Sequence, residues 1–397
     1  MKSSLNEQFQ CLVQEPCDTL MERHVLGPII VIFDAVDECG TTETRQRLLD
    51  VLFVGLAKLP NIFRFLIASR DEPEIRDSMS RIDIDERDVP TNDESTRSDI
   101  SQFFQRRLVR PTLGGYRLPS GWPGDQVIKQ LVDLAQGLFI WASTSVRFIE
   151  SGVPQDRLKK VLDATALGEP HRKLDHLYHT ALVHPFNTYD RNELDAVQSI
   201  LGVIAVARKP LTDEHLSQLL ELELGVVQGI LSRLRPLLQW SEGKPAQPLH
   251  ASFTDFLCDS TRCDPQWHID ACSHHNNLAS LCFRVMLQDL RFNICGIESS
   301  HQRHLEIEGI QERINQVVTP LLMYVSEHWA DHLELGTSLA PDSNLMHGAT
   351  EFIKNKLLYW IEVFSLKNQM SRIFGILHKA VDWAKVRYVC QLAMANC

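Results

Sequence analysis

The chain has 397 residues, too many for one compact core, so about two to four packed units are expected. Its 44% hydrophobic and 23% charged residues are close to the average for soluble proteins, and no run approaches the roughly eighteen apolar residues of a membrane span. A formal net charge of -11 argues against a broad nucleic-acid partner, which would need a concentrated basic face.

The N-terminal segment 1–20 carries charged and amide side chains where a signal peptide would need an apolar stretch. We therefore expect no secretion and a cytoplasmic location. The 10 cysteines show no regular spacing and are expected to be reduced thiols, mostly buried.

The first predicted elements are a helix and a turn over 1–26, followed by a strand, a helix and a second strand. The apolar run Ile29–Phe33 is continuous rather than alternating, which is typical of a buried parallel strand, and 63–69 is a second such run. Between them, 44–58 carries apolar residues at helical spacing. This order predicts the βαβ unit of an α/β sheet.

The segment that follows is polar, and over 71–97 it predicts a short helix, an edge strand and a loop. From Ser98 onward nearly everything is predicted to be helical, with turn-rich breaks at 110–115 and 119–124. The longest apolar helix of this half is predicted over 126–150.

A separate pattern of three helices and a hairpin covers 193–262, which is the layout of a winged helix. Its second helix is predicted to start within 210–213 at an N-cap. Strand-like pieces at 237–240 and 248–253 flank a turn. The remainder, 263–397, is predicted to be helical without a strict repeat.

Three carboxylates follow the first strand at its carboxyl end: Asp34, Asp37 and Glu38. Nucleotide-binding α/β sheets use acids in this position to hold magnesium and to position a water molecule. The pattern gives the Mg²⁺ role to Asp34 and the polarisation of an attacking water to Asp37 or Glu38. The alternative is that the acids only follow a strand and cap the next helix.

The second strand ends in Ser69 and Arg70, so an arginine emerges beside those carboxylates if the strands are neighbours. An arginine in this place can sense or stabilise a γ-phosphate. The alternative is an ion pair with Asp71 or Glu72, which follow directly in the chain.

Together the two strands resemble the Walker B and sensor segments of the NACHT family, within the STAND class of signalling ATPases that includes NOD-like receptors. Fungal NACHT proteins and the nephrocystin-like N-terminal region are the nearest likeness. The segment 135–142 is similar to the helix after the NTPase core, where Leu138 or Phe139 could contact the base; the alternative is that both are core residues. The segment 274–282 is similar to the first helix after the winged helix.

The winged-helix motif of NACHT receptors resembles 248–257, with a histidine two residues before Ser-Phe and an acid before Phe-Leu. In such receptors this histidine reaches the β-phosphate of bound ADP and locks the closed state. The resemblance therefore gives a nucleotide-binding role to His250. Structurally, a single histidine beside a strand is more often a core or surface group.

The family's phosphate-binding loop, GxxxxGK followed by Ser or Thr, does not occur in the sequence. Its place in the family is before the acidic strand, and 1–28 is too short for the missing strand, loop and helix. Without that loop the acids have little to hold a triphosphate against. The chain thus resembles a truncated gene product, a gene-model fragment or a degenerate relative.

The expected fold is α/β followed by mostly α, beginning with the C-terminal half of a P-loop NTPase sheet. The predicted domains are a partial NACHT core over 1–125, a helical subdomain over 126–190, a winged helix over 191–262 and a helical arm or linker over 263–397.

The expected function is a truncated, nucleotide-dependent signalling switch in regulated assembly, such as immune or non-self recognition. Its implied ligands are ATP or ADP with Mg²⁺, with little or no turnover, and its partners are proteins or further copies rather than nucleic acid. One alternative is a nucleotide-independent interaction or scaffold module. Another is a winged-helix DNA-binding regulator, although its third helix offers only Arg233 and Arg235.

A zinc site is a further alternative, because cysteines and histidines crowd together shortly after the predicted winged helix. The spacing argues against it, since zinc ligands usually come in CxxC or HxxxH pairs. The group consists of Cys263, His268, Cys272, His274 and His275.

Overall fold

The computed structural model describes residues 5–22, 27–39, 42–70, 72–80, 84–89, 93–163, 170–186, 191–298, 307–336 and 343–395. Within these ranges the protein is mostly helical, with three small sheets. The chain divides into two compact units, Met1–Val89 and Pro90–Cys397, and each has its own hydrophobic core. Among the described helices, none is both long and apolar enough to cross a membrane.

The first unit begins with a helical stretch in three pieces rather than the single helix predicted. Helix α1 (Leu5–Phe9) continues into a π-helical turn (Gln10–Gln14) and then into α2 (Glu15–Glu22). The ring of Phe9 lies so close to Gly55 that a Cβ there would collide with it. The glycine therefore lets α1 approach the helix that carries it.

The predicted strand, helix and strand are present as β1 (Ile29–Phe33), α3 (Thr42–Leu56) and β2 (Phe63–Ile67). The strands pair in parallel, as a crossover through a helix requires. Helix α4 (Pro73–Met79) follows. The small core of this unit is formed by Val36, Leu49, Phe53 and Ile75.

Only one face of this two-stranded sheet is covered. Ile30, Ile32 and Leu66 are 67%, 63% and 57% exposed, whereas Phe33 and Ile67 pack against the core formed with α3 and α4. The prediction of buried strands is therefore wrong for one face. A continuous apolar run indicates cover on both sides of a sheet, and here the helices supply it to alternate residues only.

The edge strand predicted within 71–97 is absent from the described residues 72–80, 84–89 and 93–97. Val89, one of the apolar residues that suggested it, is 85% exposed. The predicted short helix corresponds to α4.

The second unit opens with a bundle of helices, joined by a short hairpin that the sequence indicated only as a turn. The hairpin pairs β3 with β4 around Gly114 and Gly115, whose φ angles of 55° and 85° suit glycine. The elements are α5 (Glu94–Leu108), β3 (Thr112–Leu113), β4 (Tyr116–Arg117), α6 (Asp125–Ala135), α7 (Phe139–Glu150), α8 (Pro154–Leu162) and α9 (Pro170–Val183).

The single long helix predicted over 126–150 is in fact the two helices α6 and α7. Gln136 and Gly137 have φ angles of 46° and 82° and so end α6 in the left-handed region. The apolar pattern continues through the break because both helices bury their apolar faces in the same core.

The three helices and the hairpin predicted over 193–262 are present, with one strand and one helix placed differently from the prediction. The three-stranded sheet has the order β5, β7, β6, all antiparallel. The second hairpin strand is Pro245–Pro248, and the last three residues of the predicted strand 248–253 belong to a helix. The elements are α10 (Arg191–Val206), β5 (Leu211–Thr212), α11 (Asp213–Leu220), α12 (Leu224–Arg233), β6 (Leu238–Gln239), β7 (Pro245–Pro248) and α13 (Ala251–Cys258).

The predicted N-cap of α11 is Thr212, whose Oγ1 accepts the backbone N–H of His215 at 3.2 Å. The next residue, Asp213, is fully buried and accepts the backbone N–H of Gly243 at 3.0 Å and the side-chain amide of Gln228 at 2.8 Å. One carboxylate thus ties the turn between β6 and β7 to helices α11 and α12.

The rest of the unit is helical, as predicted. Helix α14 crosses α10 closely, because the ring of His274 occupies the space that a side chain at Gly202 would need. Trp329 and Trp360 meet nearly at a right angle, with ring centres 6.2 Å apart. The helices are α14 (Ala271–Asp289), α15 (Ile310–Val317), α16 (Pro320–Leu335), α17 (Ser343–Asn355), α18 (Leu357–Leu366) and α19 (Ser371–Ala395).

Candidate functional site

The carboxyl ends of β1 and β2 lie side by side and form the strand edge at which the sequence predicted chemistry. The backbone pairing continues past both strands, since Ala68 N–H donates to the Phe33 carbonyl at 2.8 Å and Val36 N–H donates to the Ala68 carbonyl at 3.2 Å. Between these bonds Ala35 adopts a left-handed conformation, with φ 54°, and turns the chain away from the sheet.

Two of the predicted site residues, Asp37 and Arg70, contact each other at this edge. The Asp37 side chain is only 7% exposed; its Oδ2 lies 3.4 Å from Arg70 Nε, and its Oδ1 accepts the Arg70 backbone N–H at 3.0 Å. Arg45 of α3 donates to the Asp37 carbonyl. Asp37 therefore fastens the end of β2 to the end of β1 and is an ion-pair partner of Arg70. Asp71, one of the two acids of the alternative, lies outside the described residues.

The other two acids differ from Asp37. The Asp34 side chain is exposed and makes no hydrogen bond or ion pair within the part of the chain that the structure describes. Glu38 ends a 3-10 turn (Val36–Glu38), and its side chain lies outside the described residues. An exposed carboxylate at a strand end can contact a hydrated cation, so Asp34 retains the chemistry predicted for it.

No group of three or more histidine, cysteine or acidic side chains is arranged to hold a metal ion in the described ranges. These ranges include every residue of the zinc alternative, from Cys263 to His275. Magnesium at Asp34 stays a prediction, and any further ligands would have to come from a nucleotide's phosphates or from groups beyond those described.

His250 lies in the second unit, where it caps the first turn of α13 directly after β7. Its Nδ1 accepts the backbone N–H of Ser252 at 3.1 Å and lies 2.7 Å from the Ser252 hydroxyl. That hydroxyl is in turn 2.8 Å from the hydroxyl of Tyr178 on α9. The bond to the backbone and the series of hydrogen bonds through Ser252 to Tyr178 together fix the orientation of the imidazole.

These bonds also determine which nitrogen of the neutral His250 ring carries the proton. Nδ1 accepts a backbone N–H, so it has no proton of its own, and the Ser252 hydroxyl donates to it as well. Tyr178 then donates to Ser252, and burial raises the pKa of Tyr178 to about 12, which keeps it a donor. The proton of the imidazole is therefore on Nε2, which suits donation to an anion.

Sequence reasoning missed the residues that support His250 and Asp37. The contact between His250 and Ser252 could have been found locally, because a side chain that accepts the backbone N–H two residues later is a common way to start a helix. Tyr178 and Arg45 carried none, since their roles depend on contacts between different elements of the fold.

The residues suggested for base contact have other surroundings. Leu138 is partly buried at the N-cap of α7, where it packs against the core. Phe139 is 45% exposed and packs edge-on against Phe103, with ring centres 6.2 Å apart. Contact with a base stays a prediction for both.

Comparison with known proteins leaves the family open. No protein-family model, no curated protein and no solved structure matches this chain. The resemblance to NACHT proteins therefore rests on the motifs themselves, which are the acids and arginine of the strand edge and the segment around His250.

Proposed function

We propose that this chain is a NACHT-type signalling switch that acts in the cytoplasm through regulated assembly with protein partners or further copies. Its nucleotide-sensing part is the strand edge, which corresponds to part of a P-loop NTPase sheet. The observation that carries the proposal is the contact at this edge, where the buried carboxylate of Asp37 holds Arg70 at the strand ends that also carry the exposed Asp34.

The same contact argues for sensing rather than turnover. A carboxylate that activates water must present an oxygen to that water, whereas both oxygens of Asp37 are directed at Arg70. A γ-phosphate would compete with Asp37 for the guanidinium, because arginine binds both groups in the same forked geometry. Loss of the pair would loosen the joint between the two strand ends, which gives ATP a structural effect without hydrolysis.

His250 supports a second nucleotide contact. Its proton is on Nε2, and the ring is held by Ser252 and Tyr178 without help from a ligand. A preorganised N–H donor of this kind suits the β-phosphate of ADP, because little ordering is needed on binding.

Calorimetry tests the proposal, with ADP and ATP titrated in the presence of Mg²⁺ into the protein. We expect micromolar binding that falls by about tenfold or more in Asp34→Ala and His250→Ala. Matched controls are Asp88→Ala and His171→Ala, which change exposed residues of the same type and should bind as the wild type does. Absence of binding heat in the wild type, or equal losses in the controls, would overturn it.

One observation favours a second function, a nucleotide-independent interaction module. The apolar face formed by Ile30, Ile32 and Leu66 is exposed on a sheet whose outer strand edges are unpaired among the described residues. Such surfaces are typical of sites that associate with other chains. Association that is unchanged by ADP, ATP or the Asp34→Ala variant would favour this function over the switch.

The DNA-binding alternative lacks a comparable observation. The two arginines near the end of α12 are engaged within the protein, since Arg233 pairs with Glu193 and Arg235 lies over the ring of Trp240 at 5.4 Å. The ion pair neutralises Arg233, and the exposed Arg235 by itself is too little positive charge for a phosphate backbone.

A further inference from the structure

Arg157, in the first turns of α8, has an unusual environment for an arginine. Its guanidinium lies over the ring of Phe148, with the central carbon 4.4 Å from the ring centre. From another side it lies against Gly152, where an added Cβ would be 2.9 Å from the arginine Nε. The guanidinium is thus held in place by an aromatic ring and a glycine rather than by an acid.

Among the described residues, no acceptor completes this arrangement. The Arg157 side chain makes no hydrogen bond or ion pair anywhere in the described chain, and its Nη1 is buried without a partner. Burial accordingly lowers the pKa of Arg157. An arginine taken out of water without a counter-charge is costly, and proteins normally provide one.

A second unpartnered nitrogen lies on the same aromatic ring. His184 begins the 3-10 turn that follows α9, and its ring meets Phe148 edge-on with ring centres 5.9 Å apart. Its Nδ1 is also buried with no hydrogen-bond partner. Arg157 and His184 therefore share one side chain as their support, and each leaves a polar nitrogen unsatisfied.

The charges around His184 are predominantly positive. Its pKa is lowered first by burial and next by the charge of Arg157, and Lys160 of α8 lowers it further. The charge of Asp156 acts in the opposite direction, as does the histidine's own backbone, whose approach to the ring does not reach hydrogen-bond geometry. Lys160 itself makes no hydrogen bond or ion pair within the described residues. Among the described groups that act on this pKa, one carboxylate thus stands against two permanent cations.

We propose that Arg157, His184 and Lys160 form a binding site for an oxyanion of the phosphate class. The guanidinium offers a planar pair of donors, and phosphate is an acceptor that fits it bidentately. His184 adds a donor once it is protonated, and Lys160 adds a mobile positive charge. The site is distinct from the strand edge and from His250, and it does not depend on the proposed nucleotide switch.

The alternative is a structural role alone, in which Arg157 packs on Phe148 as a cation–π contact and binds no ligand. The two explanations differ in what happens to His184 when phosphate is added. A bound anion favours the imidazolium, so phosphate should raise the pKa of His184 by about 1. A purely packed arginine would leave that pKa unchanged.

The test follows the Cε1 proton of His184 by NMR across a pH titration, in phosphate and in chloride at matched ionic strength. In Arg157→Gln we expect phosphate affinity to fall by about tenfold or more and the response of His184 to disappear. Without phosphate, the pKa of His184 in this variant should rise, because the neighbouring cation is gone. The control is Arg147→Gln, which changes an exposed arginine of α7 and should respond as the wild type does.

Gly152→Ala is a second, milder variant, which keeps the test usable if Arg157→Gln does not fold. Its methyl group would displace the guanidinium and should weaken phosphate binding while all charges remain. The proposal is overturned if phosphate leaves the pKa of wild-type His184 unchanged, or if Arg157→Gln responds as strongly as the wild type.

A parallel titration with a phosphoserine peptide separates the two sources of the anion. Tighter binding of the peptide than of inorganic phosphate would assign the site to a phosphorylated side chain, and equal binding would assign it to free phosphate. Failure of both ligands to bind would overturn the proposal.

Discussion

The two compact units bury their apolar residues in different ways. In the helical unit one continuous cluster of buried side chains runs from Ile100 to Ile376 and takes in nearly every helix. In the first unit, Met1–Val89, the core is small, and the sheet leaves Ile30 and Ile32 exposed on its outer face. An apolar side chain stabilises a fold only as far as other elements cover it. Similar residues therefore contribute different amounts to the free energy of unfolding in the two units.

Buried polar groups show the same contrast. In the helical unit, Asp213 is fully enclosed and satisfied by an amide and a backbone N–H. At the strand edge, Asp37 is nearly enclosed, but its partner Arg70 has a side chain that is 45% exposed. The first carboxylate is fixed within a core, whereas the second sits at a joint that solvent or an anion can reach.

The largest expected effect is in the helical core. Trp360→Ala should destabilise this unit by about 3–5 kcal/mol, because it removes a fully buried indole and leaves a cavity. It also removes the hydrogen bond from the indole N–H to the Ser326 carbonyl, which is 3.0 Å long. Urea unfolding followed by far-ultraviolet circular dichroism measures the change.

The matched substitution in the open sheet face is Ile32→Ala, which should change stability by less than about 1 kcal/mol. A loss comparable with that of Trp360→Ala would mean that the face is covered in solution, and it would contradict the contrast between the units.

The next effect is a dependence of the helical unit's stability on pH. His332 is fully buried; its Nδ1 is 2.9 Å from Nδ1 of His275, and its Nε2 is 3.0 Å from the Tyr324 hydroxyl. Burial is the largest cause that lowers the pKa of both histidines, to about 4 for His275 and about 3 for His332. The neutral pair is therefore the form that the fold favours.

The sign follows from proton uptake. In the unfolded chain the two histidines protonate near their ordinary pKa of about 6.5. In the folded protein the pair stays neutral until the pH approaches about 4. The stabilisation is complete above the unfolded pKa and is lost as the pH falls through this window, by an amount on the order of a few kcal/mol. Tryptophan-monitored urea unfolding at several pH values measures it. His275→Gln should flatten the slope, whereas the exposed His171→Gln should not.

The smallest effect is at the strand edge. Asp37→Asn should destabilise the pairing of β1 with β2 by about 1 kcal/mol, because the ion pair with the half-exposed Arg70 is lost while an acceptor oxygen remains. Hydrogen exchange of the strand amides reports the change. Asp34→Asn, at an exposed carboxylate without a partner in the described chain, should leave exchange as it is. Equal effects in both variants would show that the pair does not join the strands.

Local patterns predicted the elements whose signals are local. The strands β1 and β2 came from continuous apolar runs, and α11 from the cap at Thr212. The break at Gln136 and Gly137 was missed because the apolar spacing continues across it. The segment from Ala251 was taken for a strand because the capping role of His250 was not recognised.

The candidate site was predictable only in part, for a physical reason. The acids and the arginine could be placed at one edge because parallel strands end together. That Asp37 would bind Arg70 depends on the path of the chain after each strand, which the sequence does not show. The anion site around Arg157 depends on the packing of Phe148 beneath it, and no spacing in the sequence signals that contact.

The crossed indoles of Trp329 and Trp360 have a consequence for spectroscopy. All 7 tryptophans and all 6 tyrosines of the chain lie after residue 89, so Met1–Val89 is nearly silent in near-ultraviolet absorption and in intrinsic fluorescence. An indole signal therefore reports the helical unit alone. A change of that emission on addition of a nucleotide would therefore report a change within Pro90–Cys397, the unit that contains His250.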